Sequence, residues 1–337
     1  MGHGITSTDK FAFTGSRSNI WHALGNELPD GLTAVQAFDR EGLGWETELA
    51  PVFAEYGGQR IALPDNRAHV RRDNGAILGL VSDGYKPIDN GDLAKFADSL
   101  IETGEAKVST CGSLLGGKRV FVALELPKTI KLGPVDSVLP FILISNGHGG
   151  FASFNVYPSG IRPVCRNTIQ ASERDLGYGI RFHHTGDLDA KLKQARMVLG
   201  LASKEVEAFG EKLKALANTD LSAGQVKDFM ELAFTATFGK APDKDAEPEA
   251  HEKWVAKRKE MVADWTARMD NERQTLRGIQ GTAWAAFNCY TEWSDHDRGG
   301  AWMDGRSRDH RVHSNLFGVS ALSKRKVLKA ALAFAAK

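Results

Sequence analysis

At 337 residues, with 42% hydrophobic and 25% charged side chains, the chain has the make-up of a globular protein long enough for more than one structural unit. Its 43 Lys and Arg against 42 Asp and Glu leave a formal net charge of +1, which excludes a protein coated in basic residues, so a surface for a polyanion must be a local patch. Cys111, Cys165 and Cys289 are widely spaced, odd in number and without a CxxC pair, which fits a reducing cytoplasm, and neither a signal peptide nor a membrane-spanning apolar run is legible.

Residues 1–18 are polar and glycine-bearing and read as a flexible lead. Thr33 then caps a short helix that ends at Gly42 and Gly44. Trp45 to Phe53 reads as a strand with Arg60 to Leu63 as its partner, and Arg60, Arg67, His69, Arg71 and Arg72 crowd the segment that follows. Ala76 to Ser82 is a further strand, stopped by Tyr85-Lys-Pro-Ile-Asp-Asn90. Leu93, Phe96, Ala97, Leu100 and Ile101 then recur at helical spacing. Lys107 to Leu114 and Lys118 to Leu126 form a hairpin turning at Gly116-Gly117. A second hairpin turns through Asn146-Gly-His-Gly-Gly150. Its outgoing strand is expected to stop at Pro158-Ser-Gly160, with a helix starting at Pro163 inside Arg162-Pro-Val-Cys-Arg-Asn-Thr168. On this reading two arginines and an asparagine stand at a helix N-terminus, a place suited to an anion. Tyr178 to His184 looks like one more short strand.

The longest pattern lies beyond it. Leu188, Leu192, Ala195, Leu199, Ala202, Val206, Phe209, Leu213 and Leu216 alternate four and three apart, a heptad seam that must pack along another helix. Leu221 to Phe238 and Trp254 to Leu276 are candidate partners within the chain, and a second subunit is the other possibility. The acidic stretch 241–249 reads as a solvated loop, Gly278 to Trp293 as helix, and Leu322 to Ala336 as a last amphipathic helix in the most basic region of the chain. Because strands and helices do not alternate in the βαβ manner, the fold class is α+β. An antiparallel sheet flanked by helices occupies residues 19–186, and a helical part with the heptad helix occupies 187–337.

Chemistry is sparse. The chain has no GxxxxGK[ST], GxSxG or HExxH, so ATP-driven recombinase and common hydrolase chemistry find no support, and no cofactor is expected. His183, His184, Asp295, His296 and Asp297, with His310, could be gathered by folding into a metal-dependent nuclease or phosphodiesterase site, against the blander reading of solvated loop residues. Cys165 could be activated at the helix start or could be a small buried side chain. Lys118, Arg119, Arg162, Arg166 and Asn167 fall at strand or helix ends, and Arg181 with His183 extends the row. Together they could grip a phosphate backbone without reading bases.

Trp21-His-Ala-Leu-Gly25, Gly31-Leu-Thr-Ala, Trp45-Glu, Val81-Ser-Asp-Gly-Tyr-Lys-Pro87, Gly112-Ser-Leu-Leu-Gly-Gly117, Val164-Cys-Arg-Asn-Thr168 and His184-Thr-Gly186 resemble, in that order, the phage and plasmid-like protein family, domain of unknown function 932. Gly281-Thr-Ala-Trp-Ala-Ala-Phe287 and Leu316-Phe-Gly318 look like its C-terminal signatures. The order of helix, antiparallel strands and basic helix start is also similar, more loosely, to the core of the single-strand annealing proteins of break repair and phage recombination. That second resemblance implies ATP-independent binding of single-stranded DNA, strand annealing in phage or plasmid recombination, and assembly into a ring or filament, with phage or host recombination proteins as further partners. Lys118, Arg119, Arg162 and Arg166 occupy the positions that would hold the DNA. The rival expectations are the metal-dependent nuclease and an oligomeric structural or interaction protein of a mobile element.

Overall fold

A computed structural model of the chain describes residues 10–14, 25–102, 104, 106–133, 136–150, 152–162, 167–170, 180–185, 190, 202–270, 276, 278–298 and 313–336. Among these residues the architecture is α+β: a large, mostly antiparallel sheet, a separate three-stranded sheet, and a helical C-terminal part.

The large sheet has nine strands. Its main path runs β11 (Asn167–Gln170), β10 (Phe154–Arg162), β9 (Ser137–Gly147), β7 (Arg119–Glu125), β6 (Lys107–Leu114), β1 (Phe11–Thr14) and β2 (Asn26–Leu28). Two more strands pair off this path, β12 (Ile180–Phe182) with β10 and β8 (Ile130–Lys131) with β9. The sequence reading of a flexible lead through residue 18 misses β1. Phe11, Ala12 and Phe13 are buried and pair with Thr110–Gly112, because an apolar Phe-Ala-Phe core outweighs the polar flanks.

The two faces of this sheet bury different partners. Val122, Leu124, Ile144, Phe154 and Val156 face α1 (Ala34–Glu41) and α2 (Asn90–Ile101), which contribute Phe38 and Phe96. Thr33 closes a capping box on α1, and Asp98 of α2 accepts hydrogen bonds from the N–H groups of Ala34 and Val35, so one helix caps the other. Phe121, Phe141, Leu143 and Tyr157 fill the opposite face together with Leu316 from the C-terminal part. There Gly318 lies against the backbone of Ser314, where a Cβ would stand 2.9 Å from Ser314 Cα, so the Leu316-Phe-Gly318 turn can fold tightly onto the sheet.

The helix expected from Pro163 does not run through Asn167 and Thr168, which are strand, while residues 163–166 lie outside the described residues. β10 runs on through Pro158-Ser-Gly160 to Arg162, and Asn167–Gln170 returns as β11, with Arg162 opposite Asn167. The β-branched Thr168 and Ile169 favour a strand over a helix start. Pro158 falls between the β12 and β11 pairings, where among the described residues β10 has β9 as its sole strand neighbour and a missing N–H is best tolerated.

The second sheet is β3 (Thr47–Tyr56), β4 (Gln59–Arg71) and β5 (Ile77–Ser82), a hairpin plus one strand. In the helical part, α3 (Ala202–Ala217), α4 (Ala223–Phe238), α5 (Pro248–Ala267), α6 (Ala283–Glu292) and α7 (Val319–Ala335) share a core of Phe209, Leu213, Phe229, Phe234, Trp265, Trp284 and Tyr290. The seam of α3 therefore packs within the chain from Phe209 onward. Its helical neighbours are chiefly α6 and α7, not the two helices that periodicity nominates. The first half of the seam lies outside the described residues. No described helix is long and apolar enough to cross a membrane.

Candidate functional site

The two sheets meet at the glycine loop after β9, and the cause is local. Gly149 and Gly150 take φ of +77° and +79°, and the backbones of Gly79 and Gly149 touch so closely that a Cβ on either would lie 2.5 Å from a carbonyl oxygen of the other strand. This approach drives His148 into the interior. Its ring stands 5.0 Å from that of Trp45 and 5.3 Å from that of His69 on β4, and both histidines are fully buried.

The hydrogen bonds fix how both rings are protonated. Gly149 donates its N–H to His69 Nδ1 at 3.0 Å, so the proton of neutral His69 resides on Nε2. Asn90 donates its amide N–H groups to the carbonyls of Leu43 and Trp45, which leaves Oδ1 to accept from His148 Nε2 at 2.8 Å. Burial pulls His69 down to about 4, against a smaller upward pull from Asp89. It pulls His148 well below the ordinary range, with His69, His184 and Arg71 adding to the effect. These two imidazoles are neutral structural groups at pH 7.

In front of them, Tyr85 lies 5.3 Å from His69 and stacks on His184 at 4.9 Å and 12°. Its hydroxyl donates to Gly147 O at 3.4 Å, and burial raises the phenol above its ordinary value. Tyr85 and His184 form one wall of a cleft of about 580 Å³ that Val81, Gly150, Ser153, Arg181, His183 and Thr185 also line. At its mouth Arg181 Nε–H donates to Ser153 Oγ at 3.1 Å, and His183 Nδ1 lies 3.2 Å from the same oxygen. Arg181 on β12 and His183 just past its end flank buried Phe182, and their common partner Ser153 places both on the same side. An arginine and a histidine converging on a hydroxyl, beside aromatic walls, can hold an anionic group and a flat ring together.

The residues expected to form one basic row are divided. Arg181 is opposite Asn155 and Arg119 opposite Gly147, both at one end of the strands. Arg162 and Asn167 pair at the other end of β10, seven residues and ~23 Å along the strand from Asn155. Arg166 lies outside the described residues, as do Cys165 and His310. Lys118 is exposed and its carbonyl accepts the N–H of His148. Arg119 is 6% exposed: it donates to Ser145 Oγ at 3.1 Å and lies 4.4 Å over the ring of Phe317. Burial pulls its guanidinium down to about 10.

Of the histidine and aspartate residues a metal site would draw on, His310 and the side chain of His296 lie outside the described residues, and the others are engaged elsewhere. Asp295 pairs with Lys324, Asp297 with Arg268, His183 with Ser153, and His184 stacks on Tyr85. Among the described residues no group of three His, Cys, Asp or Glu side chains is placed to hold a metal.

Sequence reading thus names Arg181 and His183, counts His69 only within a basic run, and assigns no site role to Tyr85, Ser153 or His148. Two of these stand in motifs already visible, Val81-Ser-Asp-Gly-Tyr-Lys-Pro87 and Asn146-Gly-His-Gly-Gly150, whose Gly and Pro content reads as turn chemistry. The family model described as Domain of unknown function (DUF932) matches residues 77–317, well over half of the chain and a span that includes the whole cleft. No curated protein and no solved structure matches the chain.

Proposed function

We propose that this chain, which belongs to the DUF932 family, binds single-stranded DNA without ATP, and that the cleft between β5 and β12 takes one nucleotide of the strand. The observation that carries the reading is the convergence of Arg181 and His183 on Ser153 at the mouth of an aromatic-walled cleft. A guanidinium offers five N–H donors, of which the Ser153 bond uses one, so a phosphate has donors to meet. The cleft volume suits a mononucleotide, and Tyr85 and Val81 give a base or sugar an apolar surface. Lys118, exposed beside the same end of the sheet, extends the positive potential beyond the cleft.

Such a site holds backbone and ring without addressing the Watson–Crick edge, which is what annealing requires. Aligned copies in a ring or filament would then present successive bases for pairing with a complementary strand, in phage or plasmid recombination. A labelled oligonucleotide titrated by fluorescence anisotropy tests the binding step. Arg181→Ala with His183→Ala should weaken binding by tenfold or more and reduce the salt slope by about 1 to 2. Absence of binding by folded wild type at low salt, or an affinity indifferent to salt, would end this reading.

A further inference from the structure

The three-stranded sheet has two unlike faces. In β3, Ala50, Val52, Ala54 and Tyr56 alternate onto one side, and the register brings Ala68, Leu63, Ile61 and Gln59 beside them, with Leu80 of β5 next to Ala68. From Ala50 outward this face carries no charged residue. Its large members are open to solvent: Tyr56 is 80% exposed, Leu80 62%, Ile61 45% and Leu63 38%. The cations of the sheet, Arg60, Arg67 and Arg71, pair with Glu55, Pro51 and Thr47 on the reverse face. Beyond the bulge at Pro51/Val52 the hairpin has no third strand among the described residues, since β5 pairs with Asn66–Val70 alone. A two-stranded ribbon with apolar residues facing water is marginal unless another surface covers it.

We propose that a second copy of this chain covers this face, the two outer faces packing on each other about a two-fold axis. The occupant follows from chemistry and area. A polyanion finds no cation here, and a charged protein partner finds no complement, whereas an uncharged apolar stripe is its own complement, as an isologous contact requires. Seven residues of β3 at ~3.3 Å and a width of ~12 Å give a projected face of about 280 Å². Corrugation by side chains roughly doubles that, so a pair of copies buries about 1,100 Å², above the ~1,000 Å² a biological interface must clear and at the weak end of the range. The dimer is accordingly a micromolar one, with Tyr56 its largest buried side chain. This interface is carried by residues other than those of the cleft and stands independently of the nucleic-acid reading.

Sedimentation equilibrium of nuclease-treated full-length protein, from about 1 to 200 μM, tests it. Wild type should pass from monomer to dimer across that range and remain dimeric in 1 M salt. Tyr56→Ser with Ile61→Ser should weaken the dimer at least 30-fold, with circular dichroism and melting unchanged because neither side chain enters a core. Glu55→Ala, on the reverse face, should leave it intact. Wild type that stays monomeric throughout, or a Tyr56/Ile61 variant that dimerises like wild type, overturns the proposal. Equal weakening by Glu55→Ala overturns the choice of face, and loss of oligonucleotide binding without loss of the dimer assigns the stripe to another ligand and overturns it as well.

Discussion

Two buried histidines dominate the behaviour of single residues here. His69 and His148 are neutral in the folded chain because burial disfavours their charged forms, and their ordinary value of about 6.5 returns on unfolding. Between pH 6.5 and about 4 the unfolded chain therefore binds protons that the folded chain does not, and stability falls as pH falls through that window. His69 alone should contribute a loss on the order of 2 kcal/mol between pH 7 and pH 4.5, read as a lower urea midpoint. His69→Gln should flatten the profile; an equally steep profile in that variant would remove His69 as its cause. The same junction makes a sharper demand on glycine. Gly149→Ala places a methyl group 2.5 Å from Leu78 O at a φ of +77°, so strain and collision act together. A loss of about 2–4 kcal/mol should follow in chemical denaturation, whereas Gly57→Ala in the exposed turn, with open space around it, bears the strain of φ +58° alone and should lose about 1 kcal/mol.

Among the secondary-structure elements, the last helix is held by a charge. Lys324 of α7 and Asp295 lie 2.5 Å apart with side chains 0% and 1% exposed, and Asp295 belongs to a π-helical turn, Trp293–Asp297, that continues α6. Burial pulls Lys324 below its ordinary value, and Asp295 offsets part of that pull. Lys324→Met removes one partner and should cost about 3–5 kcal/mol in urea denaturation. Lys324→Met with Asp295→Leu should regain most of that; a double variant no better than the single would show that packing, rather than charge, is what the site requires. Neither residue is conspicuous in the sequence, since a lysine in a basic helix and an aspartate in Ser-Asp-His-Asp both read as solvated. Elements with strong local signals are legible: the capping box at Thr33, the glycine turn between β6 and β7, and the apolar faces of α2, α4 and α7 all stand where periodicity puts them. The Arg162–Thr168 segment is not, because Pro163 suits a helix start and a strand exit equally and the choice falls to the antiparallel pairing of Asn167–Gln170 with Ser159–Arg162. The cleft is legible at its rim alone. Arg181 and His183 advertise themselves by charge, but Ser153 reaches them through the β10–β12 pairing about 30 residues away and Tyr85 across the contact between sheets about 100 residues away, which no local pattern encodes.

For the molecule as a whole, the sheet and helical parts are joined by buried polar contacts as well as by apolar ones. Trp284 Nε1–H of α6 donates to Asp136 Oδ2 at 2.7 Å, where the chain enters β9. Tyr157 donates its hydroxyl to Leu316 O at 2.9 Å, and Phe317 shields Arg119 from solvent. Ile130, Leu132 and Val138 from the sheet side lie in the helical core, and Leu316 lies in a sheet core, so each part completes the other. Interlocked cores of this kind should unfold together: ΔG cannot be lost from one without exposing apolar surface of the other. In a Trp45→Phe background, which removes the tryptophan of the sheet core, fluorescence draws chiefly on Trp254, Trp265, Trp284 and Trp293 of the helical core, while β-sheet circular dichroism draws on the strands. The two urea transitions should therefore coincide. Trp284→Phe, which keeps a benzene ring but removes the donor and the pyrrole ring of the indole, should lower both midpoints together, a loss of about 2–4 kcal/mol. If fluorescence and circular dichroism separate, or Trp284→Phe moves the fluorescence transition alone, the two parts are autonomous units, and the family motifs Gly281–Phe287 and Leu316–Gly318 serve the helical part by itself.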